Sequence, residues 1–311
     1  MALPPRQTAA DFDPEVLRLF DRYVHGVIDR RQFLAGAARF AVGATTAAGL
    51  LAALSPQFAA AQQVAPDDRR IEAGYVEFPS PNGHGTGRGY LVRPTKSKRP
   101  LPVVLVVHEN RGLNPHIEDV ARRLALEGYI AFGPDALFPL GGYPGDEDRA
   151  RAEFAKLDQA KTRQDFMAAA DMLVGIGGGT GRLGVIGFCY GGGMANFLAV
   201  RRDDVLAAVP FYGSAPPVDD VPKIEGELLV VLAANDERIN AGWPAYRDAL
   251  ERAGIRYALY QPEGTQHGFH NDTTPRYDEK AAKEAWKRSV ALFDRVLKRA
   301  KRARRSNAPA A

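Results

Sequence analysis

The segment Gly187-Phe188-Cys189-Tyr190-Gly191-Gly192-Gly193 limits most strongly what this chain can fold into. It lies between Leu183 to Ile186, an apolar run that reads as a strand, and Met194, Phe197 and Leu198, apolar positions that read as a helix. Strand, tight glycine turn and helix match the elbow pattern G-x-S-x-G, with cysteine in the serine position. The turn forces its central residue into a strained conformation, and side chains at the flanking positions would strike the neighbouring strand and helix. A helix N-terminus behind the thiol favours its thiolate, and the N–H of Tyr190 is placed to donate to an oxyanion. Glycine-rich strand–helix turns also bind phosphate, and a free cysteine also packs as a small core residue. The rest of the chain has to decide between these.

From residue 70 onward, strand and helix patterns alternate. Tyr75 to Phe78 and Gly89 to Val92 flank the turn Ser80-Pro81-Asn82-Gly83-His84-Gly85 and read as an antiparallel hairpin. Pro102 to Val107 is a continuous β-branched run, as in a strand buried on both faces. A helix is expected over 116–127, a strand over Tyr129 to Phe132, an irregular loop over Leu140 to Asp146, and helices near 148–157 and 160–175. Further strands are expected at Leu183 to Ile186, Ala207 to Phe211, Leu228 to Ala233 and Tyr257 to Tyr260, and a last helix from about Asp278 to Arg299. The alternation predicts an α/β domain: a mostly parallel central sheet with helices on both faces. No internal repeat or second domain boundary is visible in it.

Two residues complete the chemistry of the turn. Asp236 follows the strand Leu228 to Ala233, and His267 sits in the loop after Tyr257 to Tyr260, so both lie where α/β sheets place their sites. The order nucleophile, acid, base (Cys189, Asp236, His267) is that of the α/β-hydrolase fold. His267 would serve as general base and Asp236 would orient its ring. Taken singly, Asp236 could be a helix cap and His267 a surface residue; the joint order argues for the triad. Glu109 follows the buried strand in Val107-His108-Glu109-Asn110-Arg111-Gly112 and could take the thiol proton, or simply pair with Arg111 or Arg88. His108 and Asn110 are rim candidates, with core packing and turn capping as the plain alternatives.

The first sixty residues differ in character. Arg30-Arg31 precedes Ala41 to Leu54, an uncharged run rich in Ala, Gly and Leu, followed by Ala59-Ala60-Ala61. A basic pair, an apolar stretch and an A-x-A site describe a twin-arginine export signal over 1–61, and hence a periplasmic protein. The stretch is too short for a stable membrane span. Ahead of it, Asp13 to Ile28 reads as an amphipathic helix (Leu17, Phe20, Tyr23, Val24, Val27), which suits instead a retained helical extension of a cytoplasmic protein. The catalytic domain is expected over 70–300 and a basic, disordered tail over 301–311. One cysteine in 311 residues excludes an intrachain disulfide and any multi-thiolate zinc site. The net charge of +4 owes much to Lys298 to Arg305, a pattern more often solvated than bound to nucleic acid.

Together, Glu109, Gly128-Tyr129, Pro134-Asp135, Gly187-Phe188-Cys189-Tyr190-Gly191-Gly192, Asp236 and Gln266-His267-Gly268-Phe269 resemble the dienelactone hydrolases (carboxymethylenebutenolidases) over about residues 70–298. The longer strings His108 to Pro115, Pro210 to Gly213 and His267 to Asp272 resemble a bacterial subgroup of that family. The resemblance implies Cys189 as nucleophile, His267 as base, Asp236 as its partner and Glu109 as the carboxylate linked to cysteine activation. It implies oxyanion donors at the N–H of Tyr190 and near Asn110, with Arg111 and Phe269 at the substrate. Two departures stand out. The family's substrate-binding arginine after Pro-Asp is absent from Asp135-Ala136-Leu137-Phe138-Pro139, and its arginine four residues after the histidine is Asn271 here. Arg111, Arg238 and Arg276 are the candidate replacements.

The expected activity is hydrolysis of a small-molecule ester or lactone through a thioester acyl-enzyme, with no metal or organic cofactor and with a homodimer as a candidate assembly. A general carboxylesterase or thioesterase with an apolar pocket from Phe138, Phe188, Tyr212, Trp243 and Phe269 is one alternative. A non-catalytic redox or binding module built on Cys189 is another.

Overall fold

A computed structural model describes residues 7–42 and 45–298. Its centre is one eight-stranded sheet with the order β1-β2-β4-β3-β5-β6-β7-β8. The strands are β1 (Ile71–Ser80), β2 (Gly85–Pro94), β3 (Leu101–Val107), β4 (Ile130–Pro134), β5 (Gly179–Phe188), β6 (Val205–Phe211), β7 (Glu227–Val231) and β8 (Tyr257–Tyr260). β1 and β2 form the expected hairpin, and β2 joins β4 antiparallel; every pairing from β4 through β3 to β8 is parallel. The side chains of β3 from Pro102 to Val107 are all buried, because helices cover both faces of the sheet there.

The helices are α1 (Pro14–Val24), α2 (Arg30–Ala37), α3 (Ala47–Leu54), α4 (Phe58–Ala61), α5 (Pro115–Leu126), α6 (Glu147–Phe154), α7 (Gln159–Val174), α8 (Tyr190–Arg201), α9 (Glu237–Asn240), α10 (Trp243–Arg252) and α11 (Glu279–Phe293). α5 and α11 pack on one face around Val104, Val106, Ile186 and Val209. α6, α7, α8 and α10 pack on the other around Val103, Leu105, Val185 and Ala208. The last helix ends earlier than its charge pattern suggests: after Phe293 the chain widens into a single π-turn, Asp294–Lys298. The expected tail over 301–311 lies outside the described residues.

Before the sheet, α1 to α3 build a small core of their own. Val16, Leu17, Phe20, Tyr23, Phe33, Leu51 and Leu54 are buried in it, at the helical spacing that marked α1 as amphipathic. Asp13 caps α1 by accepting from Glu15 N–H, and Asp29 caps α2 at Gln32, so Arg30-Arg31 occupies the first turn of a helix. This bundle is tied to the sheet domain by polar contacts. Tyr23 donates its hydroxyl to Asp148, Arg151 donates to the Tyr23 carbonyl, and Arg30 reaches Asp148 at 3.0 Å. Among the described residues, no helix is long and apolar enough to cross a membrane.

Candidate functional site

The carboxyl ends of β3, β5, β7 and β8 bring Glu109, Cys189, Asp236 and His267 to one side of the sheet. Cys189 joins β5 to α8 with φ 56° and ψ −111°, a backbone conformation that side chains rarely adopt. The glycines around it are needed for space. A Cβ on Gly187 would lie 2.0 Å from the Gly191 carbonyl oxygen, and one on Gly191 would lie 2.2 Å from that of Val107. Tyr190 opens α8 directly after Cys189, so its N–H has no partner within the helix.

His267 is buried, and its Nδ1 lies 2.5 Å from Asp236 Oδ2, which leaves Nε2 for the thiol side. Burial opposes charge on both His267 and Cys189. Their mutual attraction and hydrogen bonding outweigh it, with Asp236 and His25 adding to the balance. The Cys189 thiol is brought down to about 6 and the His267 imidazolium pushed up to about 10. Both shifts favour the thiolate–imidazolium form of the pair.

Glu109 accepts from Asn271 Nδ2 at 3.0 Å. Asn271, which stands where the resembled family has an arginine, thus holds the carboxylate at the cleft. His108 belongs to the core: it is wholly buried, its Nδ1 sits 2.5 Å from the Glu109 carbonyl, and its Nε2 accepts from Ala136 N–H. Burial pushes it down to about 4, so it stays neutral. Asn110 and Arg111 line the cleft, and both donate to the Val24 carbonyl of the N-terminal bundle, at 3.0 and 3.2 Å.

Phe269 does not line the cleft. It is fully buried against Tyr212, because the loop after His267 turns its aromatic side chain back under the sheet edge. The expected aromatic acyl pocket is likewise not formed by the residues named for it. Phe188 and Tyr212 are core, Trp243 packs on Tyr246 and Tyr257, and Phe138 lies beneath Arg88.

The residues that sequence reasoning missed come from α1. His25, just past its end, places Nε2 3.5 Å from Cys189 Sγ and 3.3 Å from His267 Nε2. Its Nδ1 sits 2.7 Å from the Asp21 carbonyl and 3.3 Å from the Asp21 carboxylate. The i, i+4 pair Asp21–His25 was the available signal, within a segment that reads simply as an amphipathic helix. The cleft itself, ≈ 320 Å³, is lined by Phe20, Tyr23, His25 and Phe58 from the extension and by Glu109, Arg111, Cys189, His267 and Arg276 from the domain. Arg276 is buried over the Phe20 ring, and its Nε and Nη1 have no hydrogen-bond partner.

The sequence profile of the dienelactone hydrolase family matches residues 88–297. The chain belongs to the dienelactone hydrolase family. A second profile, described as YqhI-like, matches residues 4–42, which include α1 and α2. An Escherichia coli K12 protein named "Putative carboxymethylenebutenolidase" is 31% identical over 264 residues, covering 80% of this chain and 96% of its own. The "Putative hydrolase fragment YghX" of the same organism is 58% identical over 106 residues, 34% of this chain and 91% of that one. Among solved structures, a Klebsiella pneumoniae protein titled "Putative Dienelactone Hydrolase" superposes with a TM-score of 0.64 at 30% identity, covering 72% of this chain and 98% of its own. The α/β-hydrolase fold and the assignment as a hydrolase follow from this membership together with the sheet order.

Proposed function

We propose that this hydrolase cleaves a carboxylic ester or lactone by acyl transfer to Cys189. The observation that carries the reading is the chain Asp236–His267 at 2.5 Å beside a strained thiol lowered to about 6. The thiolate attacks the carbonyl, the N–H of Tyr190 and a backbone N–H near Asn110 stabilise the oxyanion, and His267 protonates the leaving oxygen. Acylation removes the thiolate charge, the largest influence holding the proton on His267 against its burial. The ring then becomes a competent base for the water that releases the acid. Glu109, held by Asn271 in the same cleft, is the carboxylate that this reading links to thiol activation.

The cleft favours a substrate bearing its own carboxylate. Arg276, 3.8 Å from the Asp21 carboxylate, keeps donors that make no hydrogen bond, and Arg111 lies 3.5 Å from Glu147, so two arginines line the cleft of a chain that lacks the family's two. The working enzyme, on this reading, keeps its N-terminal bundle, since α1 and the segment around Phe58 form part of the cleft wall. Export with cleavage after Ala61 would remove them. N-terminal sequencing of the protein from its own cell separates the two: a start before Asp13 supports retention, and a start at Gln62 supports the signal.

Small aryl esters and enol lactones, with anionic and neutral members matched, test the activity. Cys189→Ala is expected to lose at least about 10³-fold in kcat/KM, and mass spectrometry of quenched wild-type enzyme should show an acyl adduct on Cys189. Equal turnover in both proteins would overturn the reading.

A further inference from the structure

Three lone pairs converge at one point in the cleft. His25 Nε2, His267 Nε2 and Cys189 Sγ all lie within 4.8 Å of one another. Each histidine turns its Nδ1 toward an aspartate, Asp21 for His25 and Asp236 for His267. With Nδ1 carrying the proton in each ring, both Nε2 atoms face the thiolate and each other as acceptors. Such a contact is repulsive unless a cation sits within it. In the resting hydrolase a proton at this contact fills that role, with the Arg238 guanidinium 3.1 Å from His25 Nε2 beside it.

We propose that a thiophilic divalent cation, with zinc as the type, takes the place of that proton and is bound by His25, Cys189 and His267, closing the nucleophile. The geometry fits. Tetrahedral zinc with Zn–N of about 2.0–2.1 Å and Zn–S of about 2.3 Å has ligand-to-ligand edges of about 3.3–3.6 Å. Two edges match, 3.3 Å between the two nitrogens and 3.5 Å from His25 to sulfur, and the third, from sulfur to His267, is within 4.8 Å, so a small shift of the thiol closes the set. Carboxylates or backbone carbonyls on the far nitrogens are the outer contacts that fix ligating imidazoles; His267 has the Asp236 carboxylate there, and His25 has the Asp21 carbonyl at 2.7 Å with the Asp21 carboxylate at 3.3 Å. The cleft supplies the entry path and a fourth position for water. Arg238 Nη2 lies 3.1 Å from His25 Nε2, so this exposed side chain must swing outward for the metal to bind. Binding returns the displaced proton to solvent and changes no oxidation state.

The closing effect rests on Cys189 being the nucleophile, but the binding does not, and the two fail separately. Titrating metal-free, full-length protein with Co²⁺ is expected to give a one-to-one thiolate-to-cobalt charge-transfer band, abolished by Zn²⁺ competition. His25→Ala should weaken the band's apparent affinity at least about tenfold, because it removes a direct ligand, while Arg238→Gln should tighten it severalfold. Circular dichroism would show that each variant is folded. In wild-type enzyme, Zn²⁺ should stop ester hydrolysis at the same one-to-one ratio, reversibly with chelator. Absence of the band, or equal affinity in wild type and His25→Ala, overturns the metal site even if hydrolysis depends on Cys189. Metal binding without any Cys189-dependent hydrolysis in the metal-free enzyme would instead overturn the proposed function.

Discussion

Two Asp–His pairs meet at Cys189, one grown from the sheet and one from the N-terminal bundle. Asp236 and His267 occupy loops at the ends of β7 and β8, linked by the parallel bridge between Asn235 and Gln266, and both side chains are almost fully buried. Asp21 lies on the last turn of α1 and His25 just past its end, and Asp21 remains one-third exposed. The first pair is held by the framework that also holds the nucleophile. The second is held by docking of one small core on another. The same two residue types are therefore held differently: His267 is fixed by the sheet, as the proposed general base requires, whereas His25 is placed by contacts that can be removed without touching the sheet.

The largest expected effect tests that difference directly. Asp236→Asn should lower kcat/KM by about 10²–10⁴-fold, the range for loss of a base-orienting carboxylate or of general-base catalysis. Asp21→Asn should cost only a few-fold. Steady-state kinetics on one ester would measure both, and comparable losses would erase the distinction between the pairs.

A second experiment separates the bundle from the sheet. Phe33 is fully buried between Phe20 and Tyr23, and Phe33→Ala should cost about 3–5 kcal/mol of local stability through cavity formation. The expected signature is early loss of amide protection in α1 and α2 during hydrogen exchange, with protection in β3 and β5 unchanged. Loss of protection in both regions together would show that the bundle and the sheet unfold as one unit.

The sheet was legible in the sequence because its signals are local. The run Val103 to Val107 announces a strand buried on both sides, and the glycines around Cys189 announce an elbow whichever residue sits at its centre. Asp236 and His267 were legible by chain order. What sequence could not supply was contact between segments far apart along the chain. His25 reaches Cys189 across 164 positions, and its one local signal, the i, i+4 pair with Asp21, does not by itself separate a ligand or base from a surface residue of an amphipathic helix. Phe269 fails for a related reason: its neighbour His267 faces the cleft, but the turn between them, with Gly268 at φ 84°, sends the next side chain into the core. The strain at Tyr212, φ 36° with its ring 4.8 Å from that of His267, carries no sequence signal either.

The smallest expected effect concerns charge. Burial opposes the Cys189 thiolate, His267 is its main support, and His25 adds a hydrogen bond and a weaker attraction, which together bring the thiol from its ordinary 9.0 to about 6. Its alkylation rate by iodoacetamide should accordingly be near its plateau at neutral pH and fall as pH drops through about 6, where the thiolate is protonated. Removing a stabiliser of the anion raises its pKa, so the inflection should move to higher pH in both histidine variants. His25→Ala should move it modestly and His267→Ala further, because the larger attraction comes from His267. The plateau rate separates a change in charge from a change in access: an opened cleft raises the plateau without moving the inflection. An inflection that moves as far in His25→Ala as in His267→Ala would make the helix-borne histidine an equal partner of the sheet-borne one.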